Sequence, residues 1–319
     1  MLSRIAESLF WLGRYVERAD VTSRVLDAFM HRLLDEPGTD EEAACRTLFA
    51  ILGVTPPPAE SEPCDAQSVL DLLGFDAANP SSVAGAWRSA HDNARGVREV
   101  ISTETWECLN ATHHALPAQR RAAGRVGPYA YLRYVRERAA LFSGLADSTM
   151  SRDDGWLFLT LGRSLERVDM TARLLSVKVL ASRYAPEWAT LLRAAGADEP
   201  YRRTEGWDSD PESAARFLML EENFPRSIVY SLTTAEHCLS QLAPPSSGPR
   251  SRVQVLAPTA RRVVGRMRTI LEYLDAGSLV TQLPTVLKDL QDACLVASGQ
   301  IADEYFQYSA PVVWLHGKD

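Results

Sequence analysis

Lysine is nearly missing from this chain of 319 residues, because only Lys178, Lys288 and Lys318 stand among its 34 basic residues. The others are arginines, whose planar guanidinium can hold a carboxylate with two hydrogen bonds and so suits paired or partly buried charges. A genome that favours arginine codons would produce the same bias. The formal net charge of −7 argues against a general binder of nucleic acid or anionic membrane, since both need a basic face.

Cysteine is also scarce, and its arrangement fits buried free thiols better than a disulfide framework. The five cysteines are odd in number and scattered, with no C-x-x-C motif, which is typical of free thiols in a reducing compartment. The first apolar stretch contains Arg4 and Glu7, so it does not resemble the core of a signal peptide. No uncharged run approaches the ~18 residues that a membrane span requires. We therefore expect a cytoplasmic protein that does not enter the membrane.

The sequence motifs of several enzyme classes are absent as well. Neither the P-loop pattern G-x-x-x-x-G-K-[ST] nor G-x-G-x-x-G occurs, so nucleotide binding by this chain alone has no support. There is no G-x-S-x-G nucleophile motif, and no histidine has a glutamate three residues before it, as helical di-iron sites require. We predict that the chain holds neither a cofactor nor a metal ion.

Helical periodicity, in contrast, runs through the whole chain. Near the N-terminus apolar and small residues recur at alternating steps of four and three, from Ile5 to Leu33, which predicts one long helix. Further helices are predicted over 82–114, about 128–148, from 151 onward, 257–275 and 283–308. Asp65, before an apolar run, and Asp210, before Pro211, are expected to begin two more. Loops are expected at 55–63, 119–128, 196–209 and 243–252, where proline, glycine and polar residues cluster. We expect a single all-α domain over 1–319, a helical array or bundle built from two related halves, about 1–150 and 151–319.

The strongest sign of two halves is a phrase that occurs twice, 149 positions apart. Residues 12–26 and 161–175 are identical at nine of fifteen positions, and five of those nine are charged. On a helix with 100° per residue, Gly13, Glu17, Asp20 and Arg24 share one stripe beside the apolar one. The spacing allows Asp20 to meet Arg24, and Arg14 to meet Glu17, along the same helix.

Three interpretations of these repeated charges stay open. They could form an exposed ladder of salt bridges, in which each pair contributes only about 0.3–0.5 kcal/mol. They could form a buried network in which Glu17 and Glu166 are held by arginines of the opposite half, which would set the register of the halves. They could also form a site for a ligand or a partner protein. The candidate residues are Arg14, Glu17, Arg18, Arg95, Trp106, Arg163, Glu166, Arg167 and Arg226.

Two of these candidates come from outside the repeated phrase. Arg95 and Trp106 share one face of the predicted helix over 82–114, and "NARGVREVI" (93–101) is echoed by "NFPRSIV" (223–229). Pro225 is expected at the first position of a helix, so Arg226 would lie in its first turn. A cation there is unfavourable by about 0.3–1 kcal/mol unless a carboxylate or an anion compensates it. We therefore place Arg95 and Arg226 with Glu17 and Glu166 in one central cluster.

Together these stretches resemble the bacterial alpha-E domain family. The matching segments are "AESLFWLGRYVERAD" (6–20), "NARGVREVISTETWECLN" (93–110), "LGRSLERVDMTARLL" (161–175) and "NFPRSIV" (223–229), with "EYF" (304–306) near the end. The resemblance implies a helical component encoded beside, or fused to, a circularly permuted ATP-grasp amide ligase, often with a transglutaminase-like protein nearby. It implies no catalytic residue.

The leading hypothesis is a non-catalytic partner that binds and positions such a ligase or its carboxylate-bearing peptide or small-molecule substrate. The alternative is an enzyme in its own right, an amidohydrolase or transferase that uses Glu17 or Glu166 as a base and arginines to hold a carboxylate. The geometry of the two glutamates discriminates between them. A water-filled cleft beside an unpaired arginine would favour chemistry, whereas arginines that grip both glutamates in a dry interface would favour scaffolding. The apolar tail over 305–319 is a candidate docking segment.

Overall fold

The computed structural model describes residues 1–36, 38–58, 64–180, 186–207, 210–242, 259–274 and 279–306, and every regular element in these ranges is helical. The all-α prediction is therefore confirmed. In chain order the helices are α1 (Ser3–Asp35), α2 (Glu41–Leu52), α3 (Ala66–Val69, continued by a π-helical segment, Leu70–Phe75), α4 (Val83–Arg95), α5 (Thr103–Val126), α6 (Tyr129–Thr149), α7 (Asp154–Leu180), α8 (Trp188–Ala194), α9 (Asp198–Glu205), α10 (Pro211–Leu220), α11 (Ile228–Gln241), α12 (Ala260–Glu272) and α13 (Leu279–Tyr305).

The long helix predicted over 82–114 is wrong, because the chain breaks there into α4 and α5. α5 starts after Ser102, whose hydroxyl accepts a hydrogen bond from the backbone N–H of Thr105. This serine competes for a backbone donor that a continuous helix would use, so it acts as an N-cap. The periodicity is similar on both sides of the break, and it therefore hid the interruption.

Two predicted loops are also wrong. The segment 119–128 is mostly helical, since α5 continues to Val126 despite Pro117 inside it. The segment 196–209 contains the short helix α9. Three further predictions fall wholly or mostly outside the described residues: the loop over 243–252, the proline-rich segment over 55–63 and the tail over 305–319.

Other helix starts agree with their sequence signals. Asp210 caps α10 and accepts hydrogen bonds from the backbone N–H groups of Glu212 and Ser213, and Pro211 occupies the first helical position. Asp65 caps α3 in a reciprocal arrangement with Ser68. Capping satisfies backbone donors that a helix leaves free at its N-terminus, so these positions are readable from sequence.

The helices α1 and α7, which carry the two copies of the repeated phrase, form the centre of the molecule. They pack along each other, α1 is flanked by α4 and α6, and α7 is flanked by α11 and α13. α2 also contacts α7, and α8 contacts α1. Both central helices are buried on several sides rather than along one stripe. These reciprocal contacts are compatible with two related halves, while the repeat itself stays a prediction.

The remaining bulk features concern thiols and membranes. All five cysteines are buried and free, as predicted. Burial raises the pKa of Cys45 and Cys238 to about 12, so these thiols are unreactive at neutral pH. Within the described ranges, no helix is both long enough and apolar enough to cross a membrane.

Candidate functional site

The repeated glycines mark the point where α1 and α7 cross. An ideal Cβ on Gly13 would lie 2.1 Å from the carbonyl oxygen of Leu159, and one on Gly162 would lie 2.0 Å from that of Phe10. The contact is reciprocal: Gly13 lies against Leu159, three residues before Gly162, and Gly162 lies against Phe10, three residues before Gly13. Glycine has no side chain, so the two backbones can approach each other this closely. At this separation, charged side chains of one helix reach the other helix.

Glu166 of α7 is held by two arginines of α1. Its side chain has no exposed surface; Arg14 donates from Nε to Oε2 at 2.7 Å, and Arg18 donates from Nε to Oε1 at 2.5 Å and from Nη2 to Oε2 at 3.1 Å. Burial by itself would raise the pKa of Glu166. The charges and hydrogen bonds of Arg18 and Arg14 outweigh it and lower this pKa to about 2, so the carboxylate is ionised at neutral pH.

Glu17 of α1 is held in the same way by arginines of the second half. Arg226 donates from Nη1 to Oε1 of Glu17 at 2.9 Å and also binds Asp20. The Nε atom of Arg167 lies 2.9 Å from the same Oε1 atom, although its N–H is not directed along a hydrogen bond. Burial raises the pKa of Glu17, but the charges of Arg167 and Arg226 outweigh it and lower the pKa to about 2.

The burial of the two repeated glutamates excludes one of the three interpretations for them. The exposed ladder is wrong for Glu17 and Glu166, since both are buried. The predicted contact between Asp20 and Arg24 is present, with Arg24 Nε 3.1 Å from Oδ1. Arg14, predicted to meet Glu17 on its own helix, instead reaches across the interface to Glu166. The close crossing at the glycines makes this longer-range pair available.

Arg95 and Trp106 do not join the central cluster. Arg95 is the last residue of α4, where it is exposed. Trp106 is half-buried on α5, stacked 5.3 Å from His91 and 5.2 Å from the guanidinium of Arg98. The break between α4 and α5 separates the two residues that one continuous helix would have placed on a common face.

The positions of two further arginines also differ from the prediction. Arg226 does belong to the cluster, but α11 begins at Ile228 after the N-cap Ser227, so Arg226 precedes the helix. It therefore avoids the first turn, where the helix dipole would disfavour it. Arg163, a candidate for the same cluster, forms an ion pair with Asp147, in which Nη2 lies 3.4 Å from Oδ1.

A polar cavity of about 250 Å³ lies beside Glu166. Arg18 and Thr22 of α1 line one side, and Asp169 and Arg173 of α7 line another; the end of α2 and Ser81, before α4, complete the wall. The hydroxyl Oγ1 of Thr22 is buried and has no hydrogen-bond partner in the part of the chain that the structure describes. A buried hydroxyl without a partner costs free energy, and a hydrogen bond to a ligand in the cavity would remove that cost.

Sequence reasoning included only Arg18 and Glu166 from this wall among its candidates. A signal for three more was present, because Thr22, Asp169 and Arg173 all belong to the identical positions of the repeated phrase. No pattern pointed to Ser81. Among the described residues, no group of three or more His, Cys, Asp or Glu side chains is placed to hold a metal ion.

Comparisons with known proteins place this architecture in a family. The model of the Alpha-E family, described as "a predicted alpha-helical domain with a conserved ER motif", matches residues 1–306. Uncharacterized proteins of Mycobacterium bovis and of Mycobacterium tuberculosis strain CDC 1551 are each 28% identical over 309 residues. That alignment covers 89% of this chain and 35% of each relative, so the chain spans about a third of the length of these relatives. No solved structure matches the chain significantly.

Proposed function

We propose, from the premise that this chain belongs to the alpha-E family, that it is a non-catalytic helical component of an ATP-grasp-dependent system for amide or peptide bond formation. In this role it binds and positions the ligase or its carboxylate-bearing substrate. The observation that carries the proposal is the state of Glu17 and Glu166. Each is buried and bound by two arginines, and the pKa of each is lowered to about 2.

These pKa values favour positioning over chemistry by the two glutamates. A general base works best when its pKa lies near the operating pH. A carboxylate with a pKa of about 2 is a poor proton acceptor at neutral pH, and arginines already bind both oxygen atoms of Glu166 and Oε1 of Glu17. The alternative, an amidohydrolase or transferase that uses Glu17 or Glu166 as its base, therefore has weaker support than a scaffold.

The length of the relatives supports a role beside other protein segments. The homologous region is only 35% of each Mycobacterium protein, so in those chains it occurs together with other segments. A helical unit whose two buried glutamates are paired internally can present its outer faces to such segments. The transglutaminase-like protein implied by the family resemblance is a second proposed partner.

Co-expression with an ATP-grasp ligase encoded in the same genome tests this proposal. We expect the two proteins to co-purify, and we expect the chain to increase substrate-dependent ATP consumption by the ligase while consuming no substrate alone. Glu17→Ala and Glu166→Ala should impair these effects in proportion to the loss of folded protein measured by circular dichroism. Turnover by the chain alone would favour the enzyme hypothesis, and no association together with no effect on the ligase would overturn the proposal.

A further inference from the structure

We infer that the cavity between α1 and α7 binds a small zwitterion, a molecule with a carboxylate and an ammonium group close together, such as a free amino acid. The carboxylate would pair with Arg18 and Thr22, and the ammonium group with Asp169. This inference rests on the substrate-positioning part of the proposed function and names the chemical class of the substrate.

The two sides of the central crossing show why the cavity exists. Ser82 and Ser227 cap α4 and α11 in the same way, and each hydroxyl donates to a carbonyl six residues earlier, Asp76 at 2.5 Å and Glu221 at 2.6 Å. The residue before the cap is Arg226 on one side, where its guanidinium binds Glu17 and Asp20. On the other side it is Ser81, which lines the cavity.

The remaining walls on the two sides are built from matching residues. Glu166, Asp169 and Arg173 of the cavity correspond in the repeated phrase to Glu17, Asp20 and Arg24. Gly53 and Gly196 both have φ of +67°, and an added Cβ would lie 3.3 Å from Arg173 Nη1 and 2.9 Å from Arg24 Nη1, respectively. The cavity therefore exists because Ser81 is small, whereas at the matching position of the other half the side chain of Arg226 fills the space.

Charge argues that a plain cation does not fill this space. Glu166 is already bound by Arg14 and Arg18, and Asp169 pairs with Arg173 at 3.0 Å. Three arginines thus face two carboxylates, which leaves one positive charge in excess. Arg18, whose side chain is 19% exposed, lines the cavity on the same helix as Thr22, and Arg173 lines it from α7. A carboxylate there would pair with the guanidinium of Arg18 and accept a hydrogen bond from Thr22.

Asp169 argues that the ligand also carries a positive group. Its counterpart Asp20 hydrogen-bonds to two arginines, Arg24 and Arg226, whereas Asp169 has one arginine partner, Arg173, within the described ranges. An ammonium group near Asp169 would take the place that Arg226 holds beside Asp20. A cavity of about 250 Å³ holds several water molecules at about 30 Å³ each, which is room for a molecule of amino-acid size.

Ligand-observed NMR on the full chain at neutral pH tests the inference with matched probes. L-alanine carries both groups, propionate lacks the ammonium group, and ethylamine lacks the carboxylate. Glycine and L-glutamate extend the series in side-chain size. We expect at least one of the amino acids to bind, and propionate and ethylamine to bind at least ten-fold more weakly. Binding of propionate or ethylamine as tight as that of the best amino acid, or no binding of any amino acid, would overturn the inference.

Variants of the cavity wall show where the probe binds. Ser81→Arg supplies the side chain that Arg226 supplies on the other side, so it should fill the cavity and abolish binding. Thr22→Val keeps the shape and removes the hydroxyl, and should weaken binding five- to ten-fold without loss of thermal stability. Thr171→Val, at the matching position outside the cavity, is the control and should bind normally. Unchanged binding by both cavity variants contradicts the inference.

These measurements need no ligase. If the chain binds amino acids but neither co-purifies with nor affects an ATP-grasp ligase, the proposed function fails and the cavity stands as a ligand site. If it associates with the ligase but binds no amino acid, the cavity inference alone fails.

Discussion

Glu166 shows why the charges of the repeated phrase agree between the copies while their neighbours differ. Its two oxygen atoms accept hydrogen bonds from Arg14 and Arg18 on another helix, so glutamate and both arginines are needed together. Tyr15 and Ser164 occupy matching positions of the phrase with unlike side chains, and no ion pair depends on them. The agreement of the charges between the two copies could be recognised from the sequence as a sign of a shared role. Charged residues in an exposed ladder would be exchangeable and would have no reason to match.

The first prediction concerns removal of one buried charge. Glu166→Gln leaves Arg14 and Arg18 close together without their carboxylate, and we expect it to reduce the free energy of unfolding by about 3–5 kcal/mol. The control is Glu137→Gln, because Glu137 is 68% exposed and lies 3.9 Å from Arg133. This surface change should cost less than about 0.5 kcal/mol. Urea unfolding measures both, and equal small losses would mean that the central network does not stabilise the fold.

The second prediction compares two arginines of the same region. Arg226→Ala removes a partner of both Glu17 and Asp20, and we expect a loss of about 3 kcal/mol or more, because buried carboxylates lose their counter-charge. Arg216 pairs with Glu205 and is 42% exposed, so Arg216→Ala should cost at most about 1 kcal/mol. The same urea experiment compares them, and a loss for Arg216→Ala as large as that for Arg226→Ala would contradict the central role of Arg226.

The helices α1 and α7 depend on their glycines for a different reason from the charges. Gly13 and Gly162 lie inside helices, where glycine is destabilising by about 0.5–1 kcal/mol relative to alanine. That cost is offset by the close backbone contact of each with the other helix. The sequence showed that both glycines repeat, but not that they touch, because contact depends on how the helices dock.

The third prediction is that replacing glycine by alanine destabilises the protein at one helical position and stabilises it at another. Gly162→Ala would place Cβ 2.0 Å from the carbonyl oxygen of Phe10, so the helices must separate, and we expect a loss of at least about 3 kcal/mol. Gly144, inside α6, has nothing within 4 Å of an added Cβ. Gly144→Ala should stabilise the protein by about 0.5–1 kcal/mol through helix propensity. Thermal unfolding of both variants decides this, and a stable Gly162→Ala variant would disprove the close crossing.

The two buried carboxylates couple the stability of the complete fold to pH. The pKa values of Glu17 and Glu166 fall from an ordinary 4.5 to about 2 on folding. A group with a lowered pKa stabilises the folded state fully above its unfolded pKa, and this contribution is lost as the pH falls toward its folded pKa. Each carboxylate thus contributes on the order of 3 kcal/mol at neutral pH.

The fourth prediction is that the protein loses stability as the pH falls, because the pKa values of both glutamates are lowered on folding. The free energy of unfolding should be nearly constant between about pH 6 and pH 8 and should fall steeply from about pH 5 to pH 3. Urea unfolding at a series of pH values measures this slope. Glu166→Gln, which removes one of the two groups, should lower the slope in the acid range. A wild-type stability that stays constant down to pH 3 would show that the two glutamates are not held as ionised groups.

The sequence by itself predicted three features: the helical periodicity, the caps at Asp65 and Asp210, and the buried free thiols. Each depends either on residues that are near in the chain or on composition. The partners of the charges were readable only in part. The pair of Asp20 with Arg24 and the place of Arg226 in the centre were predicted, whereas Arg14 pairs with Glu166 rather than with Glu17, and Arg95 stays outside the centre. The cavity beside Ser81 was also beyond sequence reasoning. Such pairings depend on which helices dock and how closely their backbones approach, and only the tertiary packing of α1 against α7 decides that.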